Sequence, residues 1–119
     1  MLTARDDGTK CKPFVLLRRK RPDKKIVEKY GKKLHLVWAG RTWMDDELTS
    51  LYLDAIIGPQ LFAKRLLVWD AFKCHLSEST KLKMKELNLH SAIIPGGCTK
   101  FVQVSEINSN VYWLLWSVL

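Results

Sequence analysis

The chain has 119 residues, of which 47% are hydrophobic and 27% charged, so its size and composition are those of one small globular domain. These values exclude collagen-like, coiled-coil and low-complexity proteins, and no apolar run reaches the ~20 residues that cross a bilayer. The net charge of +8 is concentrated, because residues 10–33 contain eleven Lys or Arg and only two acids. Such a stretch suits phosphate backbones, anionic lipid or nuclear import, and charge alone does not choose among them.

The first half of the chain contains short extended segments. Strands are predicted over residues 2–5, 13–18 and 34–38. Asp7 and Gly8 separate the first two, and an Asp-Gly pair is typical of tight hairpin turns. Residues 18–33 are polar and contain Pro22, which predicts an exposed loop.

The second half alternates between helical and extended patterns. Apolar residues recur with helical spacing after three acids, and the predicted buried face is Met44, Leu48, Leu51, Tyr52, Ala55 and Ile56. Gly58 and Pro59 are expected to end this helix. Residues 66–69 are an apolar run without alternation, which suits a strand buried on both faces.

A second helix and a further strand follow. Ser77 is a plausible N-cap, and Thr80, Met84 and Leu87 have helical spacing. Residues 91–94 predict the last strand, so the order is β-β-β-α-β-α-β. The final strand–helix–strand run favours a parallel pair inside a mixed sheet.

Asp70 is the most informative acid in the sequence. It follows the apolar strand of residues 66–69, and open α/β sheets place their sites at such strand ends. Glu106, just beyond the next strand, would reach the same sheet edge if the two strands are adjacent and parallel. Convergent carboxylates bind Mg²⁺ or Mn²⁺, which can then cleave phosphodiesters. A loop or capping role remains the alternative for Asp70.

The remaining polar candidates are weaker. Cys11, Cys74 and Cys98 lack metal-binding spacing and, with no signal peptide, favour a reducing, intracellular compartment. His75 is expected in a turn. The basic candidates are Arg18, Arg19, Lys20, Arg21, Lys24 and Lys25. They suit a nucleic-acid-binding patch, a nuclear import signal or a solvated loop. Trp38, Trp43 and Trp69 are expected in the core.

Four segments together resemble the DDE endonuclease domain of pogo and Tigger transposases. They are residues 67–76 (LVWDAFKCHL), 92–99 (AIIPGGCT) with Gln103, 40–48 (GRTWMDDEL) and 3–10 (TARDDGTK). The resemblance covers residues 2–110, interpreted as a partial DDE domain. Residues 111–119 are then a divergent apolar tail.

The resemblance implies a ribonuclease H-like mixed sheet with flanking helices and an acidic triad that binds Mg²⁺ or Mn²⁺. Asp70 matches the second catalytic acid, and Glu106 occupies the position of the third. The family's first Asp lies on a central strand that comes before all four matching segments, and no position of this sequence matches it. We therefore expect an incomplete sheet and an incomplete triad.

Three functional hypotheses follow from the sequence. The first is a nuclear, transposase-derived fragment that binds DNA through its basic patch and lacks catalytic activity on its own. The second is an active Mg²⁺-dependent DNA endonuclease completed by another chain. The third is a non-catalytic interaction fragment, which dimerises or binds a partner chain through open sheet edges or the apolar tail.

Overall fold

The chain forms a mixed α/β structure in a computed structural model, which describes residues 1–98 and the backbone of residues 115–116. The strands are β1 (Thr3–Ala4), β2 (Phe14–Leu17), β3 (His35–Trp38), β4 (Arg65–Asp70), β5 (Leu89–Ile94) and β6 (Leu115–Trp116). The α-helices are α1 (Lys24–Tyr30), α2 (Asp46–Tyr52) and α3 (Glu78–Glu86). A π-helical turn spans Leu53–Ile57, and a 3₁₀ turn spans Lys73–His75.

The predicted N-terminal turn is confirmed, but residues 3–5 pair across it with residues 9–11, and β2 forms its ladder with β3 instead. The Arg5 amide donates to the Thr9 carbonyl at 2.8 Å, and the Cys11 amide donates to the Thr3 carbonyl at 2.8 Å. Asp7 lies in the turn, where its carboxylate accepts a 2.8 Å bond from the Thr9 amide. The bond from the Thr9 amide engages the Asp7 carboxylate within the turn.

Helix α1 corrects the prediction of a loop over residues 18–33. It links the parallel strands β2 and β3. Asp23 is its N-cap, and the Asp23 carboxylate accepts a 3.0 Å bond from the Lys25 amide. The helix has no buried residue. Because no face of the helix is buried, the sequence needs no apolar stripe there, and such a stripe is the main sequence signal for a helix.

The predicted helix before Gly58 is confirmed, but α2 covers only Asp46–Tyr52, a π-helical turn continues it to Gly58, and the buried face differs from the prediction. Leu48 and Tyr52 are buried, but Leu51 is 42% exposed, and Leu53 and Ile57 lie in the core. The buried positions 48, 49, 52, 53 and 57 follow helical spacing along a face that leaves out Leu51. The segment ends in a π-helical turn, in which the Gly58 amide donates to the Leu53 carbonyl five residues back.

Strands β4 and β5 form the predicted parallel pair, with α3 between them. Ser77 caps α3, as predicted, by accepting a 3.3 Å bond from the Thr80 amide. The prediction that β4 is buried on both faces is wrong. Leu67 and Trp69 are each 1% exposed, whereas Leu66 and Val68 on the other face are half-buried.

One apolar core joins the parallel pairs β2–β3 and β4–β5 to α2, the π-helical turn and α3. Its buried members are Phe14, Tyr52, Leu53, Ile57, Leu67, Trp69, Met84, Leu87 and Leu89. The Tyr52 hydroxyl also bonds to Thr3 Oγ1 at 2.7 Å, which ties α2 to β1. Trp43 was expected in this core but is 65% exposed.

The described strands form three pairs: β1–β6, β2–β3 and β4–β5. All three pairs are parallel, and β6 lies against β1 with Thr3 opposite Leu115. The α/β class is confirmed, while the ribonuclease H-like topology and the missing central strand stay predictions. Within residues 1–98 and 115–116, no helix has the length and apolar character needed to cross a bilayer.

Candidate catalytic edge and basic surface

Asp70 is the last residue of β4 and lies at the C-terminal edge of the parallel pair. Its register partner is Ile94, the last residue of β5. The predicted adjacency and parallel direction of these strands are therefore confirmed. Glu106, the proposed second ligand, lies outside the described residues.

The Asp70 carboxylate has one buried and unsatisfied oxygen. Its side chain is 37% exposed, but Oδ1 is inaccessible to solvent and accepts no hydrogen bond from the described residues. His75 Nδ1 lies 3.1 Å from Oδ1, an ion-pair distance, but the ring N–H is aligned with the Asp70 carbonyl oxygen at 2.9 Å instead. We therefore treat the Asp70 carbonyl, and not Oδ1, as the acceptor.

This environment fits a carboxylate that binds a cation. A buried carboxylate oxygen without a hydrogen bond is energetically costly, and a divalent cation bound at the exposed part of the same carboxylate would offset that cost. Carboxylate oxygens are also the preferred ligands of Mg²⁺. Among the described residues, however, no group of three or more potential metal ligands is assembled. Asp70 would therefore supply one ligand, and the others would have to come from outside the described residues.

Cys74 and His75 occupy the 3₁₀ turn after β4, and both are buried. Burial raises the pKa of the Cys74 thiol, which disfavours the reactive thiolate. The sequence prediction of a turn at His75 is confirmed. What the sequence did not indicate is that the His75 ring faces Asp70, because this contact depends on the path of the 3₁₀ turn.

The predicted basic residues form an exposed surface at the end of β2 and the start of α1. We call this set the basic surface: Arg18, Arg19, Lys20, Arg21, Lys24 and Lys25, all exposed. Gly40 lies beneath it with φ +74°, and a Cβ there would be 2.9 Å from the Lys20 side chain. The Gly40 backbone thus supports the stem of Lys20.

Little of the positive charge of the basic surface is neutralised by nearby acidic side chains. Arg19 pairs with Asp23 at 3.0 Å, and Asp23 also caps α1. The first turn of α1 contains no acid, although it carries Lys24 and Lys25. Cations at a helix N-terminus oppose the helix dipole. Their placement therefore does not stabilise the helix through its dipole.

A large groove lies elsewhere on the described part of the chain. It has a volume of about 730 Å³ and lies between the start of α2 and the 3₁₀ turn. Asp45, Asp46 and Phe72 line it, but Asp70 and the basic surface do not. Because neither candidate site opens into it, this groove does not contribute to the candidate chemistry.

Comparison with known proteins identifies the family of the chain. The sequence model of the DDE superfamily endonuclease family matches residues 1–111. The chain belongs to this family. No solved structure matches it.

Its curated relatives place the chain among pogo-type DDE domains. A mouse protein named "Pogo transposable element with KRAB domain" is 29% identical over 112 residues, which are 90% of this chain and 18% of the relative. The human protein of the same name is 28% identical over 112 residues, with the same coverage. The chain thus spans about a fifth of the length of these relatives.

Proposed function

We propose that this pogo-type DDE domain binds DNA through the basic surface and does not cleave DNA on its own. The observation that carries the proposal is the cluster of six exposed bases, in which Asp23 pairs with Arg19. Lys and Arg side chains that neutralise phosphates supply most of the affinity of such contacts. Membership of a DDE endonuclease family supports DNA as the polyanion.

The proposed lack of cleavage rests on the number of catalytic acids of the family that have a matching position in this sequence. The family uses three catalytic acids, and two positions of this chain match them, Asp70 and Glu106. Two carboxylates bind Mg²⁺ or Mn²⁺ weakly and do not position two ions. The same proposal divides the chain into a partial DDE domain over residues 2–110 and a tail over residues 111–119, and it places the protein in the nucleus.

The DNA-binding test removes charge without disturbing the fold. Arg18, Arg21, Lys24 and Lys25 are changed to Gln, while Arg19 and Lys20 are kept because they contact Asp23 and Gly40. Affinity for a fluorescent duplex is measured by anisotropy. We expect binding at least roughly tenfold weaker, since each lost phosphate contact reduces counterion release.

A matched control removes four exposed charges elsewhere. It changes Arg5, Lys64, Lys73 and Lys85 to Gln, all of which are exposed and outside the basic surface. The proposal is rejected if both quadruple variants lose the same affinity, because binding then depends on net charge alone. It is also rejected if the chain binds anionic lipid vesicles but not DNA.

A second candidate function is a Mg²⁺-dependent DNA endonuclease completed by another chain. The partly exposed Asp70 carboxylate at the C-terminal strand edge favours it. When bound, the metal would activate the attacking oxygen at the phosphodiester, and Asp70 with Glu106 would hold it. This function requires Mg²⁺-dependent cleavage that is lost in Asp70→Ala and retained in Glu28→Gln, a change of an exposed acid on α1.

A further inference from the structure

His75 is an unusually constrained residue beside the candidate ligand. Its side chain is 3% exposed, and its ring lies parallel to the Trp69 indole, with centroids 3.9 Å apart and an interplanar angle of 5°. Phe72 contacts the same ring edge-on at 5.7 Å. The imidazole is thus held between two aromatic rings and cannot rotate freely.

The backbone around His75 is fixed as well. The Cys74 carbonyl accepts a 2.7 Å bond from the buried Thr80 hydroxyl and a 3.2 Å bond from Ser77 Oγ. Both donors belong to the start of α3. The helix therefore anchors the 3₁₀ turn, and the turn holds the His75 ring against the end of β4.

The hydrogen-bond partners define the tautomer of His75. Nδ1 lies 2.9 Å from the Asp70 carbonyl oxygen, which can only accept a hydrogen bond. The proton must therefore be on Nδ1. Nε2 is buried and has no hydrogen-bond partner in the described part of the chain.

We infer that His75 is a positioning residue for the Asp70 carboxylate. Its Nδ1–H holds the backbone at the end of β4, and the adjacent ring edge confines Oδ1 to one side. The exposed part of the Asp70 side chain is then directed outward as a cation ligand. This inference rests on the proposed metal-ligand role of Asp70 and is independent of DNA binding by the basic surface.

The test compares two replacements of His75 that separate its hydrogen bond from its packing. His75→Asn retains an N–H donor near the position of Nδ1, whereas His75→Phe retains the aromatic stack and loses the donor. Mn²⁺ affinity is measured by electron paramagnetic resonance. We expect the Phe variant to bind Mn²⁺ roughly tenfold more weakly, and the Asn variant to remain within about twofold of the unaltered chain.

Several results would overturn the inference. One is equal Mn²⁺ affinity of the Phe variant and the unaltered chain, since His75 would then contribute packing only. Another is that the unaltered chain does not bind Mn²⁺. A third is that Asp70→Asn, which removes the ligand that His75 is inferred to position, leaves Mn²⁺ binding unchanged. DNA affinity measured without metal on the same samples separates these failures from failure of the DNA-binding proposal.

A measurement on the unaltered protein covers the case in which the Phe variant does not fold. Long-range ¹H–¹⁵N nuclear magnetic resonance spectra identify the protonated nitrogen of His75. A proton on Nδ1 supports the inference. A proton on Nε2 contradicts it, because the bond to the Asp70 carbonyl would then have no donor.

Discussion

Asp70 and Ile94 are register partners at the C-terminal ends of the parallel strands β4 and β5. Because parallel strands end at the same sheet edge, the chain leaves β5 beside the Asp70 carboxylate. Glu106 is twelve residues beyond Ile94, a length of chain that can return to this edge. The pairing thus supports the proposal that the two acids share one cation.

Mutations of the two acids test that sharing. Asp70→Asn and Glu106→Gln should each weaken Mn²⁺ binding roughly tenfold, as a coordinating carboxylate is lost. The double variant should lose less than the sum of the two effects, because residues that act on one ion are not independent. Isothermal titration measures the affinities, with Glu28→Gln as the control. Additive losses would indicate two separate sites.

Met84 and Leu82 provide a matched pair on α3 for testing the core. Met84 is 3% exposed and packs in the core, whereas Leu82 is 67% exposed. Met84→Ala should lower the free energy of unfolding by about 2–5 kcal/mol because it leaves a cavity. Leu82→Ala should change it by less than about 0.5 kcal/mol. Urea unfolding gives both values, and equal losses would show that α3 packs through another face.

The buried hydroxyl of Tyr52 is expected to make the folded protein less stable at high pH. Burial raises the pKa of its hydroxyl from 10.0 to about 12. The unfolded chain therefore releases this proton at lower pH than the folded chain. The contribution of Tyr52 to the free energy of unfolding is intact below pH 10 and is lost as the pH rises towards 12. The linked loss is about 3 kcal/mol.

The measurement is the free energy of unfolding between pH 8 and 12. Tyr52→Phe should remove this component of the pH dependence, although it also leaves the buried Thr3 hydroxyl without its partner, at a cost of about 1–3 kcal/mol at neutral pH. Tyr30→Phe is the control, because Tyr30 is 40% exposed. A pH profile unchanged by Tyr52→Phe would contradict the assigned burial.

The tail hypothesis can be tested by truncation. Strand β6 pairs with β1 of the same chain, so deletion of residues 111–119 should lower the free energy of unfolding while leaving the oligomeric state unchanged. Urea unfolding and size-exclusion chromatography are the two readouts. If the deletion instead converts a dimer to a monomer at unchanged stability, the tail binds a partner chain, as in the third sequence hypothesis.

The sequence predicted the strand–helix–strand unit of β4, α3 and β5 because its signals are local. Ser77 caps the helix, and Thr80 and Met84 lie on its buried face. Helix α1 was missed because it buries nothing, and its one clear local signal is the Asp23 cap. The π-helical turn before Gly58 was missed because such turns are rare interruptions of α-helices.

The candidate site was predictable only in part. The position of Asp70 followed from its place after an apolar strand, and the exposure of the basic surface followed from its composition. The contact between His75 and Asp70 did not, because it requires the ring to stack on Trp69 within a specific turn. Spacing along the sequence carries no information about that ring orientation.

The salt dependence of DNA binding tests the central claim most directly. The logarithm of the association constant is measured against the logarithm of salt concentration for the unaltered chain and the variant with Gln at positions 18, 21, 24 and 25. If these four side chains contact phosphates, the slope should become shallower by up to about 3.6, because each contact contributes about 0.9. Equal slopes would show that the basic surface does not bind DNA.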